Sequence, residues 1–409
     1  MSEAQDGSHT LFKSVQPAMV SRFMQPIDLD QNATSPLDPA VLEAMRPHWL
    51  AGGNPESRHG AGRAARRAWD QAKRTVAEIL GAKPDEVIFT SGGTEANNLA
   101  VRGLAMATGG PGHLVCSPFE HPAVAELVER LPGWVATKAQ AQADGTVGLE
   151  SLLAACTSAT QLATLMLANN ETGALQPVAE LAATLGDRGI LVHTDAVQAV
   201  GRVPISFHEL GVATLAASAH KFHGPQGIGL LLVRKGTRLE PLLLGGGQQR
   251  GLRPGTPPVA LAVGLAAALE RWRADQPARV ERMVALRNRL EAGIRAGVGP
   301  GQAVIRHGPA SESQRLPQTL MLGFPGLDAN ALLIQLDLAG VYASLGSACA
   351  SGSTQGSATL LAMGVAESLA RASIRFSLGA FTTEPEIDQA IERVVQVVRS
   401  TGNLDDELG

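Results

Sequence analysis

The stretch Glu86-Val-Ile-Phe-Thr-Ser-Gly-Gly-Thr-Glu-Ala-Asn-Asn98 packs an apolar run, two glycines and the start of a helical pattern into thirteen residues. Residues 86–90 read as a strand and residues 94–107 as a helix. Working outward, residues 60–80 carry a helical pattern upstream. Short β-rich runs follow at 113–117, 162–168, 190–194, 214–217 and 229–233, with helical stretches between most of them. This alternation predicts a mostly parallel sheet covered on both faces, an α/β fold.

Beyond residue 257 the pattern changes. Residues 257–297 read as one long helix, broken near Asp275-Gln-Pro277, that leaves the large domain. An α+β pattern succeeds it, with strands at 303–306, 319–324 and 373–377 and helices at 328–338 and 384–399. Thr383 with Glu386 three residues on predicts a capping box for the last helix. A chain of 409 residues is too long for one ordinary core. The expected division is a disordered extension at 1–26, a large domain at 27–260, and a linking helix with a small domain at 261–409.

Composition narrows the function. A formal charge of −4 gives no electrostatic case for nucleic acid. No apolar run reaches the roughly 18 residues of a membrane span, so no membrane role is expected. Residues 1–26 lack the apolar stretch of a secretory signal, and Met24, just before the first patterned segment, is a candidate start. Cys116, Cys156 and Cys349 form a sparse, odd set without metal-ligand spacing. This fits a reducing cytoplasm. Cys116 reads as a buried strand residue and Cys156 as helix packing. Cys349 stands apart, among Gly, Ser and Ala.

Three segments carry chemistry. At Ser91-Gly-Gly-Thr94, free backbone N–H groups and a helix dipole converge on one spot, which suits a phosphate. An ordinary strand–helix turn with a Thr cap fits as well. Asp195, in His193-Thr-Asp-Ala-Val-Gln198, ends a buried strand, where open α/β sheets place ligands. A desolvated carboxylate there calls for a cation such as a protonated pyridine nitrogen; taken alone, Asp195 also reads as a helix cap. Lys221, in Ser218-Ala-His-Lys-Phe-His-Gly-Pro225, follows Asp195 by 26 residues. It is suited to the Schiff base that anchors pyridoxal phosphate, or it is a surface lysine. The bland readings leave the order of the three features unexplained.

Together these segments resemble the class V, fold-type I pyridoxal-phosphate enzymes, and more closely the cysteine desulfurases that feed iron–sulfur cluster assembly. The likeness runs from Asp28 to about Arg399. Asp30-Gln-Asn-Ala-Thr-Ser-Pro36, Glu120-His121-Pro-Ala-Val and Asn169-Asn-Glu-Thr-Gly173 resemble family motifs. So do Gly53-Asn-Pro-Glu-Ser-Arg-His59, Gly245-Gly-Gly-Gln-Gln-Arg-Gly-Leu-Arg-Pro-Gly-Thr256 and Ser373-Ile-Arg-Phe-Ser-Leu-Gly379. Most diagnostic is Gly346-Ser-Ala-Cys-Ala-Ser351, similar to the loop carrying the family's nucleophilic cysteine. Leu345, Gln226, Pro254 and Gln355-Gly356 depart from the usual pattern.

The resemblance implies a cysteine desulfurase with pyridoxal 5′-phosphate as cofactor, yielding L-alanine and a persulfide on Cys349. Lys221, Cys349 and His121 would be catalytic, with His121 stacking on the ring and moving protons. Asp195 would keep the ring nitrogen protonated, and Gln198 would donate to the ring oxygen. Gly93, Thr94, Ser218 and His220 would hold the phosphate, with Thr256 reaching it from the other subunit of a homodimer. Asn170 would serve both cofactor and substrate, and Arg375 would clamp the substrate carboxylate. Read alone, His121 is also a core histidine and Arg375 a strand arginine in a surface ion pair. The implied partners are L-cysteine and a sulfur acceptor or iron–sulfur scaffold protein. No resident metal is expected; Cys349 is the one residue implied in a transient cluster contact. Alternatives are another class V activity, such as an aminotransferase or selenocysteine lyase, and a catalytically weak paralogue that binds a partner. Those activities do not all need a cysteine, so Cys349 in its motif favours desulfuration.

Overall fold

The computed structural model describes residues 25–346 and 356–408. The expected extension falls almost wholly outside these residues, and so does Cys349. The strands are β1 (Ile27–Asp28), β2 (Val87–Thr90), β3 (Gly112–Cys116), β4 (Trp134–Lys138), β5 (Thr160–Thr164) and β6 (Leu191–Asp195), followed by β7 (Thr214–Ser218), β8 (Gly229–Val233), β9 (Ile305–His307), β10 (Thr319–Gly323), β11 (Val341–Tyr342) and β12 (Ser373–Ser377). The helices are α1 (Pro39–Ala51), α2 (Gly60–Ile79), α3 (Gly93–Ala107), α4 (Pro122–Glu129), α5 (Leu149–Ala154) and α6 (Val178–Gly186), then α7 (Phe207–Leu210), α8 (Val259–Val298), α9 (Ala329–Leu338), α10 (Ala358–Ala362), α11 (Glu367–Ala370) and α12 (Glu384–Leu408).

Seven strands form the main sheet in the order β2-β8-β7-β6-β5-β3-β4. Only β8 runs against its neighbours. The mostly parallel sheet expected from the alternating pattern is therefore present. Strands β2, β7 and β8 are buried throughout because helices cover both faces. Successive side chains point to opposite faces, so Val87 and Phe89 join one core while Ile88 joins another with α3.

The chain passes from β2 at one edge to β3 near the other, so α3 crosses the sheet and packs on β7 and β8. Its N-terminus is left beside the C-terminal ends of β6 and β7. That is the switch-point crevice where such sheets hold ligands.

A second core gathers around the antiparallel sheet β12-β10-β9, the pair β1-β11, and helices α9 and α12 with the second half of α8. Helix α8 kinks at Asp275 (φ −127°, ψ 18°), two residues before Pro277. Proline lacks the N–H for the ladder, and its ring presses on the carbonyl four residues back. β4 was not anticipated. It lies at the sheet edge with Val135 65% exposed, so it lacks the continuous apolar run of the central strands. β5 ends at Thr164, earlier than the run 162–168 suggested. Leu165 and Leu167 still donate to the carbonyls of His193 and Asp195 as the chain bends out of the sheet.

Candidate active site

The cavity begins at the first turn of α3. Gly92 occupies the N-cap and no side chain caps the helix. Its leading N–H groups and positive dipole end are available to an anion. Gly93 is required by close packing: a Cβ there would lie 2.7 Å from Val197 Cγ2 in the turn after β6. Ser218 ends β7, and Thr94 and His220 stand beside it along the same wall. His220 Nδ1 bonds the Thr34 hydroxyl at 3.0 Å. Burial, then Lys221 and Arg202, push His220 down to about 4. It is neutral at pH 7. Uncapped N–H groups, two hydroxyls and an imidazole form a donor set suited to phosphate.

Asp195 terminates β6 and is 5% exposed. Its Oδ1 accepts from the Val197 N–H at 2.9 Å and its Oδ2 from Asn97 Nδ2 at 2.6 Å. Because the Asn97 amide nitrogen must donate to a carboxylate, Asn97 Oδ1 faces His193 Nε2 as an acceptor, at 3.0 Å. His193 Nδ1 then accepts from the Thr214 hydroxyl at 2.9 Å. Burial pushes His193 down to about 3, so the ring carries one proton, on Nε2. A four-residue relay thus aims the carboxylate. Sequence reasoning missed Asn97 and Thr214, and quoted His193 without a role.

Lys221 closes the short 3₁₀ turn Ala219–Lys221 after β7. Its Nζ donates to the carbonyls of Asn32 (2.6 Å) and Ala33 (2.8 Å). Burial first, then Arg202 and Arg375, lower it to about 8. Arg202 was also missed. Its guanidinium binds the Lys221 carbonyl at 2.8 Å and Asn32 Oδ1 at 2.8 Å, fixing both the lysine and its acceptor. Gln198 spends Nε2 on the Asn32 carbonyl, and its buried Oε1 has no partner among the described residues.

His121 is the N-cap of α4, with Pro122 at the first helical position; its Nδ1 accepts the Ala123 N–H at 3.1 Å. Burial is the largest influence and lowers its pKa, Asp195 raises it and Lys221 lowers it. The preceding Glu120 is buried, accepts from the Met166 N–H, and is pushed up to about 8 by burial and then by Asp195.

Lys221, His121, Gly93, Thr94, Asn170, Asp195, Gln198, Ser218 and His220 all line one cavity of about 220 Å³. An adjoining cleft is bordered by Asn170, His121, Lys221 and Arg375. Arg375 is 2% exposed, so it is not a surface arginine. Its Nη2 pairs with Asp30 Oδ1 at 2.6 Å, Nη1 donates to the carbonyls of Asn170 and Gly346, and Nε has no acceptor among the described residues. Thr256 is exposed and does not line its own chain's cavity. Cys349 lies outside the described residues. An uncapped helix end, an oriented buried carboxylate and a weakly basic lysine around one cavity fit pyridoxal phosphate.

Comparison with known proteins agrees with this geometry. Residues 27–390 match the class V aminotransferase family model. Over 380 residues the chain is 40% identical to cysteine desulfurase IscS of Dictyoglomus turgidum, covering 91% of this chain and 95% of that protein. A solved NifS-like protein superposes with a TM-score of 0.85 at 34% identity, covering 91% of this chain and 99% of its own. A structure described as SspA in complex with cysteine gives 0.74 at 31% identity, over 88% of this chain and all of that one.

Proposed function

The chain belongs to the class V aminotransferase family, and from that membership we propose that it is a cysteine desulfurase, a sulfurtransferase that removes sulfur from L-cysteine and leaves L-alanine. The observation that carries this reading is the convergence of Lys221, Asp195, His121 and the uncapped end of α3 on one cavity. Pyridoxal 5′-phosphate, the family's cofactor, supplies when bound an electron sink for negative charge at the substrate Cα.

The chain's own residues do the rest. Gly93, Thr94, Ser218 and His220 hold the phosphate, and the Asp195 side chain lines the same cavity. Lys221 is the base. Its lowered basicity leaves a share of the amine neutral near pH 7.5, ready to take the Cα proton onto Nζ. His121 has Nδ1 occupied by Ala123, which leaves Nε2 as its proton-carrying atom. Arg375 offers the buried positive charge for the substrate carboxylate, with Nε as a donor that has no acceptor among the described residues.

The nucleophile assigned is Cys349, on the strength of its motif. Its thiolate attacks the substrate sulfur and the Cβ–S bond breaks. The electron pair stays with the carbon skeleton, which takes up a proton and leaves as alanine. The sulfur remains on Cys349 as a persulfide. A homodimer, a sulfur-acceptor or scaffold partner and a cytoplasmic location belong to the same proposal and rest on the resemblance. So does the division into a large domain at 27–260 and a linking helix with small domain at 261–409. The separate core around β10 and α12 supports it, with β1 crossing into that core from the N-terminal side.

The test is to load the protein with pyridoxal phosphate, add L-cysteine and a thiol reductant, and measure sulfide and alanine together. Equal amounts are expected. A keto acid in place of alanine would overturn the reading: released together with sulfide it marks a β-lyase, and without sulfide an aminotransferase.

A further inference from the structure

Arg375 sits in the middle of β12 and is 2% exposed, and among the described residues its charge has one carboxylate partner, Asp30. Asp30 follows β1, where the chain lies along β12: the Gln31 N–H donates to the Ser377 carbonyl at 3.1 Å and the Ser377 N–H to the Leu29 carbonyl at 2.6 Å. The Asp30 N–H donates to Asp28 Oδ1 at 2.9 Å, and the Asp30 carbonyl accepts from the Ala33 N–H at 2.9 Å. The backbone carrying the carboxylate is thus held on both sides. Asp30 Oδ1 accepts from Arg375 Nη2 at 2.6 Å. Nη1 is committed to the main chain, donating to the carbonyls of Asn170 (3.0 Å) and Gly346 (2.6 Å). Nε has no acceptor among the described residues.

A guanidinium takes a carboxylate across one edge, through two parallel N–H groups. The Nη1–Nη2 edge is closed here, because both Nη1 hydrogens are spent on carbonyls. That leaves the edge between Nε and Nη2, where Asp30 uses one of the two Nη2 hydrogens. Arg375 borders the cleft shared with Lys221 and His121, and Asp30 does not. We propose that Asp30 is a positioning residue for substrate recognition: it stands behind Arg375 and turns the Nε–Nη2 edge toward the cleft, where that edge takes the α-carboxylate of the amino-acid substrate. The proposal rests on reading Arg375 as the substrate clamp. The pairing also gives the buried guanidinium a countercharge in the empty site, without which its burial would be costly. Lys221 and Arg202, both within electrostatic reach of Arg375, offset the second carboxylate when substrate arrives. An arginine side chain has many rotamers to lose, and an edge fixed in advance lowers that cost on binding.

The experiment uses the protein loaded with pyridoxal phosphate and two probes, L-alanine and ethylamine, which is L-alanine without its carboxylate. The cofactor absorbance change gives a dissociation constant for each, and their ratio reads the clamp without calling on sulfur chemistry. Wild type should prefer L-alanine. Arg375→Lys keeps the charge but loses the fork, and should remove most of that preference. Asp30→Ala should weaken L-alanine roughly tenfold or more, with ethylamine nearly unchanged. Asp30→Asn keeps an oxygen for Nη2 and should recover most of the loss. Asp30→Glu keeps the countercharge but moves it by a methylene. It should lower the ratio several-fold, which covers the case in which Asp30→Ala does not fold. In turnover of L-cysteine, the Asp30→Ala effect should fall on KM rather than on kcat. A ratio unchanged in the Asp30 variants would overturn the proposal. So would equal weakening of both probes, which marks general damage, or a ratio unchanged in Arg375→Lys. If wild type makes no alanine from L-cysteine, the functional reading falls, while the ratio still decides the role of Asp30.

Discussion

Asp195 keeps its aim because Asn97 is not free to turn. The Asn97 amide is fixed at one end by the carboxylate and at the other by His193, whose ring is fixed by Thr214. Asn97→Leu, of similar size, strips both bonds and leaves two buried groups unpaired, at about 1–3 kcal/mol for each. Pyridoxal phosphate affinity should fall roughly tenfold or more, measured by absorbance titration of the apoprotein, with a lowered melting temperature. Unchanged affinity would show that Asp195 needs no such support. Lys221 makes a second prediction. Its folded pKa of about 8 lies below the free value of 10.5, so the fold favours the neutral amine. Between those values the unfolded chain holds the extra proton, and Lys221's contribution to apoprotein stability rises with pH. Labelling of Lys221 by an amine reagent in native apoprotein should therefore climb through about pH 8. Lys138, raised by Glu129, should label only at higher pH. A Lys221 profile matching that of Lys138 would remove the depressed amine from the mechanism. The residues named in advance were those whose chemistry shows in a motif. Asn97, Asn32 and Arg202 act through partners 98, 189 and 19 residues away, and no spacing rule exposes such bonds. One signal was readable: His193 in a strand set to be buried between helices had to find a partner.

Among the elements, those with two-sided burial or a strong cap were legible. β8, an apolar run, and β12, an alternating Ser-Ile-Arg-Phe-Ser, have the bounds that the sequence suggested. The capping box at α12 is formed: Thr383 N donates to Glu386 Oε2 at 2.8 Å and Glu386 N to Thr383 Oγ1 at 3.4 Å. The kink of α8 was marked by Pro277. β4, β1 and β11 were not legible. β4 is an exposed edge, and the other two are two residues long, held by pairing with each other. α1 hides its start behind Pro39 and carries Pro47 within it, yet Asp38 caps it by accepting the Ala40 N–H. Because the box is at the exposed start of a helix far in sequence from the lysine, Thr383→Ala should cost about 1 kcal/mol of stability. The fall would be seen in denaturant unfolding, with turnover unchanged. A loss of turnover would mean that α12 transmits strain to β12 and Arg375.

At the scale of the molecule, the site is a seam between two cores. Asn32 belongs to neither sheet, yet it joins them: its side chain donates to the Asn170 carbonyl and to Thr319 of β10, and its carbonyl accepts from Lys221 and Gln198. The seam still leaves one expected cofactor ligand unused. Thr256 is exposed, just ahead of α8 and outside its own cavity, while Leu243 and Leu244 nearby are 52% and 91% exposed. Apolar side chains standing that free beside a glycine-rich loop favour an apposed surface. If that surface is a second copy of the chain, Thr256 of each subunit completes the partner's phosphate site. Sedimentation should then show a dimer at micromolar concentration. Leu244→Glu places a charge in the contact and should raise the monomer fraction. The monomers should lose pyridoxal phosphate on gel filtration, because one phosphate donor has gone with the partner. Thr256→Val should leave the dimer intact and weaken cofactor retention by several-fold. A monomer that keeps its cofactor and its full turnover would show that each chain completes its own site, and Thr256 would then have no part in it.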